Sequence, residues 1–294
     1  MEIRTLRYFL AVAREENITK AANLLHVTQP NLSRQIKDLE YELGKKLFLR
    51  KSHRVILTSD GMLFRKRAEE IIALVDKTEK EFSDLEDEVS GDVYIGGGET
   101  YIMSTIAKVI RQIQDRYPRI HFHLYSGNAA DVIERLDKGL LDFGVVIDPV
   151  DISKYDDVKL RGKDTWGIIM RQDDELAKFE AIRKEDIIKR KLIISRQLLT
   201  NDDEHFKKWS TKDYDELDIV ATYNLLYNAS ILVKEKVGIA LTLDRLVDTS
   251  KENGLTFRAL TPTLNSELSL IYKKYQVFSK AAGLFLEMIK KVSS

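Results

Sequence analysis

A short polar run near the start of the chain carries side chains suited to contacting nucleic acid. The run consists of Thr28, Gln29, Pro30, Asn31, Ser33, Arg34 and Lys37. The amides of Gln29 and Asn31 can form paired hydrogen bonds with an adenine edge, and the guanidinium of Arg34 can do so with a guanine edge. Ser33 and Lys37 suit phosphate oxygens. These residue types therefore predict a surface that reads double-stranded DNA.

Three amphipathic helices are needed to present this run. Apolar residues recur at three- and four-residue spacing from about Thr5 to Glu16, which predicts the first helix. A short second helix follows with Thr19 as its N-cap, and Thr28 caps a third helix from Gln29 to about Leu43. Two short helices joined by a few residues form a helix-turn-helix, whose second helix enters the major groove.

A basic β-hairpin is predicted to follow the third helix. Val55–Leu57 is the expected return strand, and Arg50, Lys51 and Arg54 lie in or beside the hairpin. A basic wing next to a recognition helix commonly reaches the DNA backbone or the minor groove. For a single cation such as Arg50, an ordinary solvated surface position is an equally good interpretation.

The distribution of charge favours a DNA-binding head, although the formal net charge of the chain is zero. Residues 1–60 carry 11 Lys and Arg against 7 Asp and Glu, whereas residues 61–92 carry 5 against 10. A basic head behind an acidic connector is expected when only one module meets phosphate. Chance scatter of charge also produces an asymmetry of this size, so charge alone does not decide the question.

The composition of the chain excludes several classes of protein chemistry and location. The 294 residues contain no cysteine, which excludes disulfides and thiolate chemistry and favours a reducing compartment. No apolar run approaches the roughly 18 residues that span a bilayer, and the first residues lack the apolar core of a signal peptide. We therefore expect a cytoplasmic protein without a membrane partner.

A single long helix is predicted from Ser59 to about Val89. Its apolar stripe, at spacings of mostly three and four residues, consists of Leu63, Ala68, Ile71, Val75, Thr78, Phe82, Leu85 and Val89. A narrow stripe on so long a helix favours packing against a second copy of the chain, and packing on the protein's own domain is the less favoured alternative. We therefore expect a homodimer, and two-fold symmetry then predicts a roughly palindromic DNA site.

Strands and helices alternate beyond this connector, with short connections between them. The order predicts parallel strands with helical crossovers, arranged as two α/β lobes with a cleft at the carboxyl ends of the strands. The expected domains are residues 1–58 for the winged helix-turn-helix, 59–90 for the linker and dimerisation helix, and 91–294 for an α/β domain with lobe I at about 91–162 and 267–294 and lobe II at about 163–266.

Residues at the carboxyl ends of the strands are the candidates for binding a small molecule, because open α/β sheets bind ligands there. They are Thr100, Gly127, Asn128 and Asp148 in the first lobe and Ser195, Arg196, Tyr223 and Asn224 in the second. Helix capping without a ligand explains Thr100 and Asn128 equally well. Arg196 is either an anion partner or a solvent-facing side chain. Glu99 stands beside the expected anion site, so either it points outward or the ligand is cationic or polar and neutral.

The N-terminal residues resemble the DNA-binding segment of LysR-type transcription regulators. The matching features are Leu6 with Phe9, Ala21–Ala22 with Leu24, Thr28–Gln29–Pro30, Ser33–Arg34–Gln35–Ile36, Leu39–Glu40, Leu43–Gly44, Leu47–Phe48, Arg50, and Thr58 with Gly61. Asn31 departs from the pattern, since a small residue is more usual there. The C-terminal residues resemble the effector-binding domain of the same family more weakly. The matching features there are Arg116–Tyr117–Pro118, Gly127, Leu136 with Gly139 and Asp142, and Val237–Gly238–Ile239–Ala240.

The resemblance implies the fold class and the partners. The fold is an α/β protein with an N-terminal winged helix-turn-helix, a long linker helix, and a two-lobed effector-binding domain similar to the periplasmic solute-binding proteins. The assembly is a homodimer or homotetramer formed through an antiparallel contact of the linker helices. A small-molecule co-inducer takes the place of a resident cofactor, and RNA polymerase is a further partner where the outcome is activation. Activation and repression both stay open.

An enzyme built on a two-lobed α/β cleft is the rival hypothesis. The GGGE run at residues 96–99 has neither the spacing of a dinucleotide site nor the Lys of a P-loop, and the sequence has no HExxH or GxSxG motif. His121 and His123 lie two apart on one strand, but without further ligands a metal site is the less favoured interpretation. We therefore expect no catalytic residues and no metal. A repressor without an effector is a third hypothesis.

Overall fold

The computed structural model describes residues 1–51, 54–83, 89–148, 150–200 and 217–293, and for residues 50, 51, 80–83, 199 and 200 it describes the backbone only. The chain divides into two compact units, Met1–Ser83 and Asp84–Ser294. The N-terminal unit contains α1 (Ile3–Glu15), α2 (Ile18–Leu24), α3 (Gln29–Leu43), β1 (Phe48–Lys51), β2 (Arg54–Leu57) and α4 (Ser59–Ser83). This order is that of a winged helix-turn-helix followed by a long helix, as the sequence predicts.

Local chemistry sets the ends of the short helices. The side chain of Asn17 accepts hydrogen bonds from the backbone N–H groups of Thr19 and Lys20, at 2.9 and 3.0 Å. Asn17 is therefore the N-cap of α2, and the prediction of Thr19 was wrong by two residues. Gly44 ends α3 in the left-handed conformation, with φ at 64°.

Aromatic packing closes the N-terminal unit. Phe9 of α1 is fully buried, and its ring lies 5.1 Å from that of Phe48 in β1 and 4.8 Å from that of Phe64 in α4. Leu32 and Ile36 of α3 join the same core. Because these apolar residues of α3 face inward, its polar positions are left on the outside.

The predicted stripe of the long helix is buried at some positions of α4 and exposed at others. Ala68 is fully buried in the core of its own unit, whereas Leu63 is 61% exposed and Ile71 is 36% exposed. Val89 lies outside α4 and packs against the core of lobe I. The side chain of Phe82, and all of Leu85, lie outside the described residues. Thus α4 packs on its own unit through one face and exposes apolar side chains on another.

The described residues of the C-terminal unit form two mixed sheets. In chain order its elements are β3 (Gly91–Gly97), α5 (Met103–Arg116), β4 (Ile120–Ser126), α6 (Ala129–Asp137), β5 (Phe143–Ile147), β6 (Tyr155–Lys159), β7 (Asp164–Arg171), β8 (Ala181–Ile182), α7 (Lys184–Ile187), β9 (Leu192–Ser195), α8 (Arg196–Thr200), β10 (Ile219–Tyr223), α9 (Leu226–Lys234), β11 (Ile239–Leu243), β12 (Leu255–Leu260), β13 (Asn265–Ser266), β14 (Leu268–Lys273) and α10 (Lys280–Ser293). Short 3₁₀ turns occur at Glu175–Lys178 and Lys251–Asn253.

The sheets define two lobes. Lobe I has the strand order β4-β3-β5-β14-β6, and lobe II has the order β10-β9-β11-β7-β12-β8, with β13 paired to β7. In lobe I, β3 runs parallel to β4 and β5, as the alternating pattern predicts, whereas β14 runs antiparallel to β5 and β6. In lobe II, β9 is parallel to β10 and β11, and β7 is antiparallel to β11 and β12. The chain passes between the lobes twice, after β6 and after β13.

Each lobe has its own apolar core. In lobe I the fully buried rings of Phe143 and Phe285 lie 5.1 Å apart and join the sheet to α10. In lobe II the central strands contribute Ile168, Ile194 and Leu241, all fully buried. Two separately packed lobes leave the ends of their strands free to form a cleft.

Candidate DNA interface and effector cleft

The outer face of α3 brings the predicted DNA-binding side chains together. Thr28, Gln29, Pro30, Asn31, Arg34 and Lys37 are exposed, and Ser33 is half-buried. The opposite face of the helix is buried through Leu32, Ile36 and Leu39. A rigid helix anchored in this way holds its polar residues at a fixed spacing, which base recognition requires.

The beginning of α3 is suited to an anion. Thr28 occupies the N-cap position, yet its hydroxyl makes no capping hydrogen bond. The first backbone N–H groups of any helix have no partner within the helix and carry its positive dipole end. A DNA phosphate is the natural ligand for such an exposed helix start.

Arg34 and Arg54 form only loose ion pairs within the unit. The Nε atom of Arg34 lies 3.8 Å from a carboxylate oxygen of Asp38, and the Nη1 atom of Arg54 lies 3.7 Å from one of Glu16. All four side chains are more than half exposed, so these pairs contribute little stability and leave the cations free to turn toward DNA. Arg50 and Lys51 belong to β1, but their side chains lie outside the described residues.

A buried carboxylate anchors the wing to α3. Glu40 is 8% exposed, and it accepts hydrogen bonds from the N–H groups of Leu47 and Phe48, at 2.9 and 3.1 Å, and from Nζ of Lys46 at 2.8 Å. Burial would raise the pKa of this carboxyl, but the three hydrogen bonds outweigh it and hold the pKa below its ordinary value. The sequence predicts no contacts for Glu40, because its partners are fixed only when β1 folds against α3.

The start of α4 approaches the wing closely at Gly61. A Cβ atom placed on Gly61 would lie 2.1 Å from the carbonyl oxygen of Leu47. The hydroxyl of Thr58 donates to the carbonyl of Lys46 at 2.7 Å and accepts from the N–H of Gly61 at 2.9 Å. These contacts explain physically why a threonine and a glycine stand three residues apart here.

A cavity opens between the two lobes of the C-terminal unit. Six of the eight residues predicted to bind a small molecule line it: Gly127, Asn128, Asp148, Ser195, Tyr223 and Asn224. The other lining residues are Gly98, Glu99, Ile147, Trp166, Gln197, Leu198, Leu226, Thr242, Leu243 and Leu246. About 70 Å³ of the cavity is open to water, which is room for a few water molecules.

Two predicted residues, Thr100 and Arg196, are not among those that line this cavity. Thr100 is buried, and its hydroxyl donates a hydrogen bond to the carboxylate of Asp164 and accepts one from the N–H of Ile102 at 3.0 Å. Its hydroxyl thus joins lobe I to Asp164 of lobe II, and a contact of Thr100 with a small molecule stays a prediction. Arg196 is exposed, and α8 begins at this residue beside Ser195.

Several polar groups of the cavity already have partners. The side chain of Asn128 accepts from the N–H of Asp131 at 3.0 Å and so caps α6, which was one of the two alternatives for this residue. Lys159 donates to Asp148 at 2.9 Å, and this hydrogen bond raises the pKa of the lysine. The hydroxyl of Tyr223 donates to the carbonyl of Leu241 at 2.7 Å, and burial raises the pKa of that hydroxyl.

Sequence reasoning missed the apolar wall of the cavity. Trp166, Leu198, Leu243 and Leu246 come from three separate segments of lobe II: β7, α8, and the end of β11 with the residues just after it. The indole N–H of Trp166 donates to the hydroxyl of Ser266 at 2.8 Å, which fixes the ring. The sequence places Trp166 in a predicted core strand, and nothing in that pattern indicates that one edge of the indole ring faces a cleft.

Asp164 is a buried acid at the junction of the lobes. It has no exposed surface, and its second carboxylate oxygen has no hydrogen bond within the described residues. Burial raises the pKa of Asp164, although the hydrogen bond from Thr100 opposes the shift. Arg245 lies 3.6 Å from the same carboxylate.

The two strand histidines lie close to one carboxylate. His123 Nε2 is 3.2 Å from an oxygen of Asp92, and its ring stacks on Tyr94 with centroids 4.7 Å apart. His121 lies 3.9 Å from the same oxygen. Among the residues that the structure describes, no group of three or more His, Cys, Asp or Glu is placed to hold a metal ion. Within the same residues, no helix has the length and apolar character needed to cross a membrane.

A winged helix-turn-helix with an exposed polar helix, followed by two α/β lobes around a cavity, defines a ligand-responsive DNA-binding regulator. Comparisons with known proteins agree with this class. The model of the lysR family of bacterial regulatory helix-turn-helix proteins matches residues 3–62, and that of the LysR substrate binding domain matches residues 86–294. The chain therefore belongs to the lysR family, and it is a DNA-binding transcriptional regulator with an effector-binding domain.

Similar proteins carry regulator names. The HTH-type transcriptional regulator BsdA of Bacillus subtilis (strain 168) is 38% identical over 164 residues, which span 54% of this chain and 56% of BsdA. The uncharacterized HTH-type transcriptional regulator YvbU of the same strain is 26% identical over 297 residues, which span 99% of each chain. The match to BsdA thus spans little more than half the length of that protein.

Solved structures share the fold. That of CbnR, a LysR family transcriptional regulator, has a TM-score of 0.77 at 19% identity and covers 100% of both chains. Full-length CbnR complexed with its target DNA gives the same TM-score at 19% identity, covering 99% of this chain and 100% of that one. The predicted fold class is confirmed.

Proposed function

We propose that the chain controls transcription by holding a two-part DNA site through paired winged units and by responding to a small molecule in its interlobe cleft. One observation carries the DNA part of this proposal. Gln29, Asn31 and Arg34 share the exposed face of α3, while Leu32 and Ile36 bury the opposite face. A helix anchored in this way can present two amides and a guanidinium to base edges in the major groove.

The contacts divide into base recognition and backbone positioning. Gln29, Asn31 and Arg34 read base edges, whereas Lys37 and the start of α3 at Thr28 meet phosphates. Ser33, Pro30 and the wing cations Arg50, Lys51 and Arg54 complete the surface that follows the backbone.

Self-association supplies the second half of the DNA site. The exposed apolar side chains of Leu63, Ile71 and Leu74 on α4 support a contact with a second copy of the chain. A two-fold axis through that contact predicts a roughly palindromic operator, and two dimers would form a tetramer. RNA polymerase is a further partner if the outcome is activation.

The cleft is proposed to bind an effector rather than a resident cofactor. This proposal is supported by one cavity that is lined by strand-end residues from both lobes. Ligands bind at such positions in domains of this kind. We further propose that the protein acts in the cytoplasm and catalyses no reaction. The regulator names of its relatives support this view.

A gel shift with DNA from immediately upstream of the protein's own gene tests the proposal. Arg34→Ala should weaken specific binding by about 1–3 kcal/mol if the guanidinium reads a base. Arg111→Ala is a matched control, because both arginines lie near an Asp four residues on, at 3.8 and 3.9 Å, with side chains 82% and 83% exposed. Specific binding that only Arg34→Ala loses supports the proposal. Failure of genomic DNA selection to recover any specific site would contradict it.

A further inference from the structure

The carboxylate of Glu99 crosses the cleft from one lobe to the other. Glu99 follows β3 in lobe I, is half-buried, and lines the cavity. It accepts a hydrogen bond from the backbone N–H of Leu226, the first residue of α9 in lobe II. Of the two orientations that the sequence left open, the side chain has taken the inward one.

The N-terminus of α9 is therefore already in contact with an anion, the carboxylate of Glu99. Its N-cap residue, Leu225, makes no side-chain capping hydrogen bond. A carboxylate at a helix start is stabilised by the unpaired N–H groups and by the helix dipole. Here that carboxylate comes from the other lobe, and it occupies the position that a carboxylate ligand would otherwise take.

The charges of the cavity disfavour a second anion. Asp148 also lines the cavity, and its partner Lys159 is not among the lining residues. None of the described residues that line the cavity is Lys, Arg or His. A ligand carboxylate brought there would lose its hydration without gaining a cationic partner, and it would be repelled by Glu99.

We propose that Glu99 is a built-in anion that selects an effector with hydrogen-bond donors, positively charged or neutral, and rejects carboxylates. The inference rests on the proposed function, in which this cleft is the effector site. A donor group of the effector shares the Glu99 carboxylate with the Leu226 N–H, and the apolar body lies against Trp166, Leu243 and Leu246. Because the Glu99–Leu226 hydrogen bond joins the two lobes, an effector that binds Glu99 acts directly on the contact between them.

Three probes of one skeleton test this selection in the full chain. Saturation-transfer NMR titrations compare n-butylamine, butyramide and butyrate with wild type, Glu99→Gln and Glu252→Gln. We expect the amine to bind wild type at least tenfold more tightly than butyrate. Glu99→Gln should reduce that preference about tenfold, since one charge-assisted hydrogen bond is lost. Glu252→Gln, which removes an exposed carboxylate outside the cavity lining, should match wild type.

A second variant separates charge from local folding. Glu99→Asp keeps the charge but shortens the reach to α9, so it should keep a preference for the amine. Equal binding of butyrate and butylamine to wild type overturns the inference, as does a preference that survives in Glu99→Gln. Absence of any Glu99-dependent binding among the three probes overturns it as well.

The upstream-DNA gel shift distinguishes this inference from the proposed function. If wild type binds DNA specifically but the probes show no dependence on Glu99, the inference fails and the regulator proposal stands. If the probes show the charge preference but no specific DNA site exists, the regulator proposal fails and the assignment of Glu99 stands.

Discussion

Replacing Glu40 by alanine should destabilise the winged unit far more than its single lost ion pair suggests. The carboxylate accepts hydrogen bonds from the buried N–H groups of Leu47 and Phe48, at 2.9 and 3.1 Å. A buried donor left without a partner costs about 1–3 kcal/mol, so two of them predict a loss of about 2–6 kcal/mol in the free energy of unfolding. The lost pair with Lys46 adds little, because that lysine is mostly exposed.

The two tryptophans make the assay specific to one unit. Trp166 is buried in β7, and both tryptophan positions, 166 and 209, fall within the residue range of the C-terminal unit, so tryptophan fluorescence should report that unit. In urea titrations, far-UV circular dichroism should show an earlier transition of the helical N-terminal unit in Glu40→Ala, while the fluorescence transition stays in place. Glu42→Ala is the matched control, since Glu42 is an exposed acid on the same helix.

The pH dependence of this transition gives an independent check. The pKa of Glu40 is lowered on folding, so its stabilising contribution is present above the ordinary value of 4.5 and is lost as the pH falls through the folded value. Wild type should therefore lose stability more steeply than Glu40→Gln on acidification. The reasoning is refuted if Glu40→Ala shifts the dichroism transition no further than Glu42→Ala does.

Three further substitutions test other parts of the structure. Gly61→Ala should cost about 1–3 kcal/mol of stability, because its Cβ would meet the Leu47 carbonyl oxygen at 2.1 Å and backbone cannot rotate away; unchanged thermal unfolding would contradict this contact. Leu74→Glu, at a position 42% exposed on α4, should convert the oligomer to monomer in light scattering, and a variant with wild-type mass would remove this face from the assembly. The raised pKa of Asp164 means that the folded state favours its neutral carboxyl, so this group stabilises the fold below pH 3.8 and the stabilisation is lost as the pH rises through the pKa in the folded state. Asp164→Asn should lack this fall in stability. Fluorescence-detected unfolding at pH 4 and pH 7 checks this, and identical pH profiles would refute it.

The sequence by itself determined the order of the elements in the N-terminal unit and the limits of its third helix. Helix periodicity, caps and short connections are local properties, so α3 begins and ends where predicted, at Gln29 and Leu43. Its polar face followed from the same 3.6-residue period. The alternation of strands and helices likewise predicted that β3 pairs in parallel with β4 and β5.

Only the tertiary structure decided contacts between residues far apart in sequence. The pairing of β14 with β5, the partition of the α4 stripe, and the hydrogen bonds of Glu40 depend on elements that meet after the chain has folded. The sequence predicts Thr100 either as a ligand-binding residue or as a helix cap, and gives no sign that its hydroxyl donates a hydrogen bond to Asp164, 64 residues away. The sequence allows the side chain of Glu99 to point either outward or into the cleft, and the hydrogen bond to the start of α9 places it in the cleft. A local pattern limits the directions in which a side chain can point, whereas long-range packing decides which direction it takes and which residue becomes its partner.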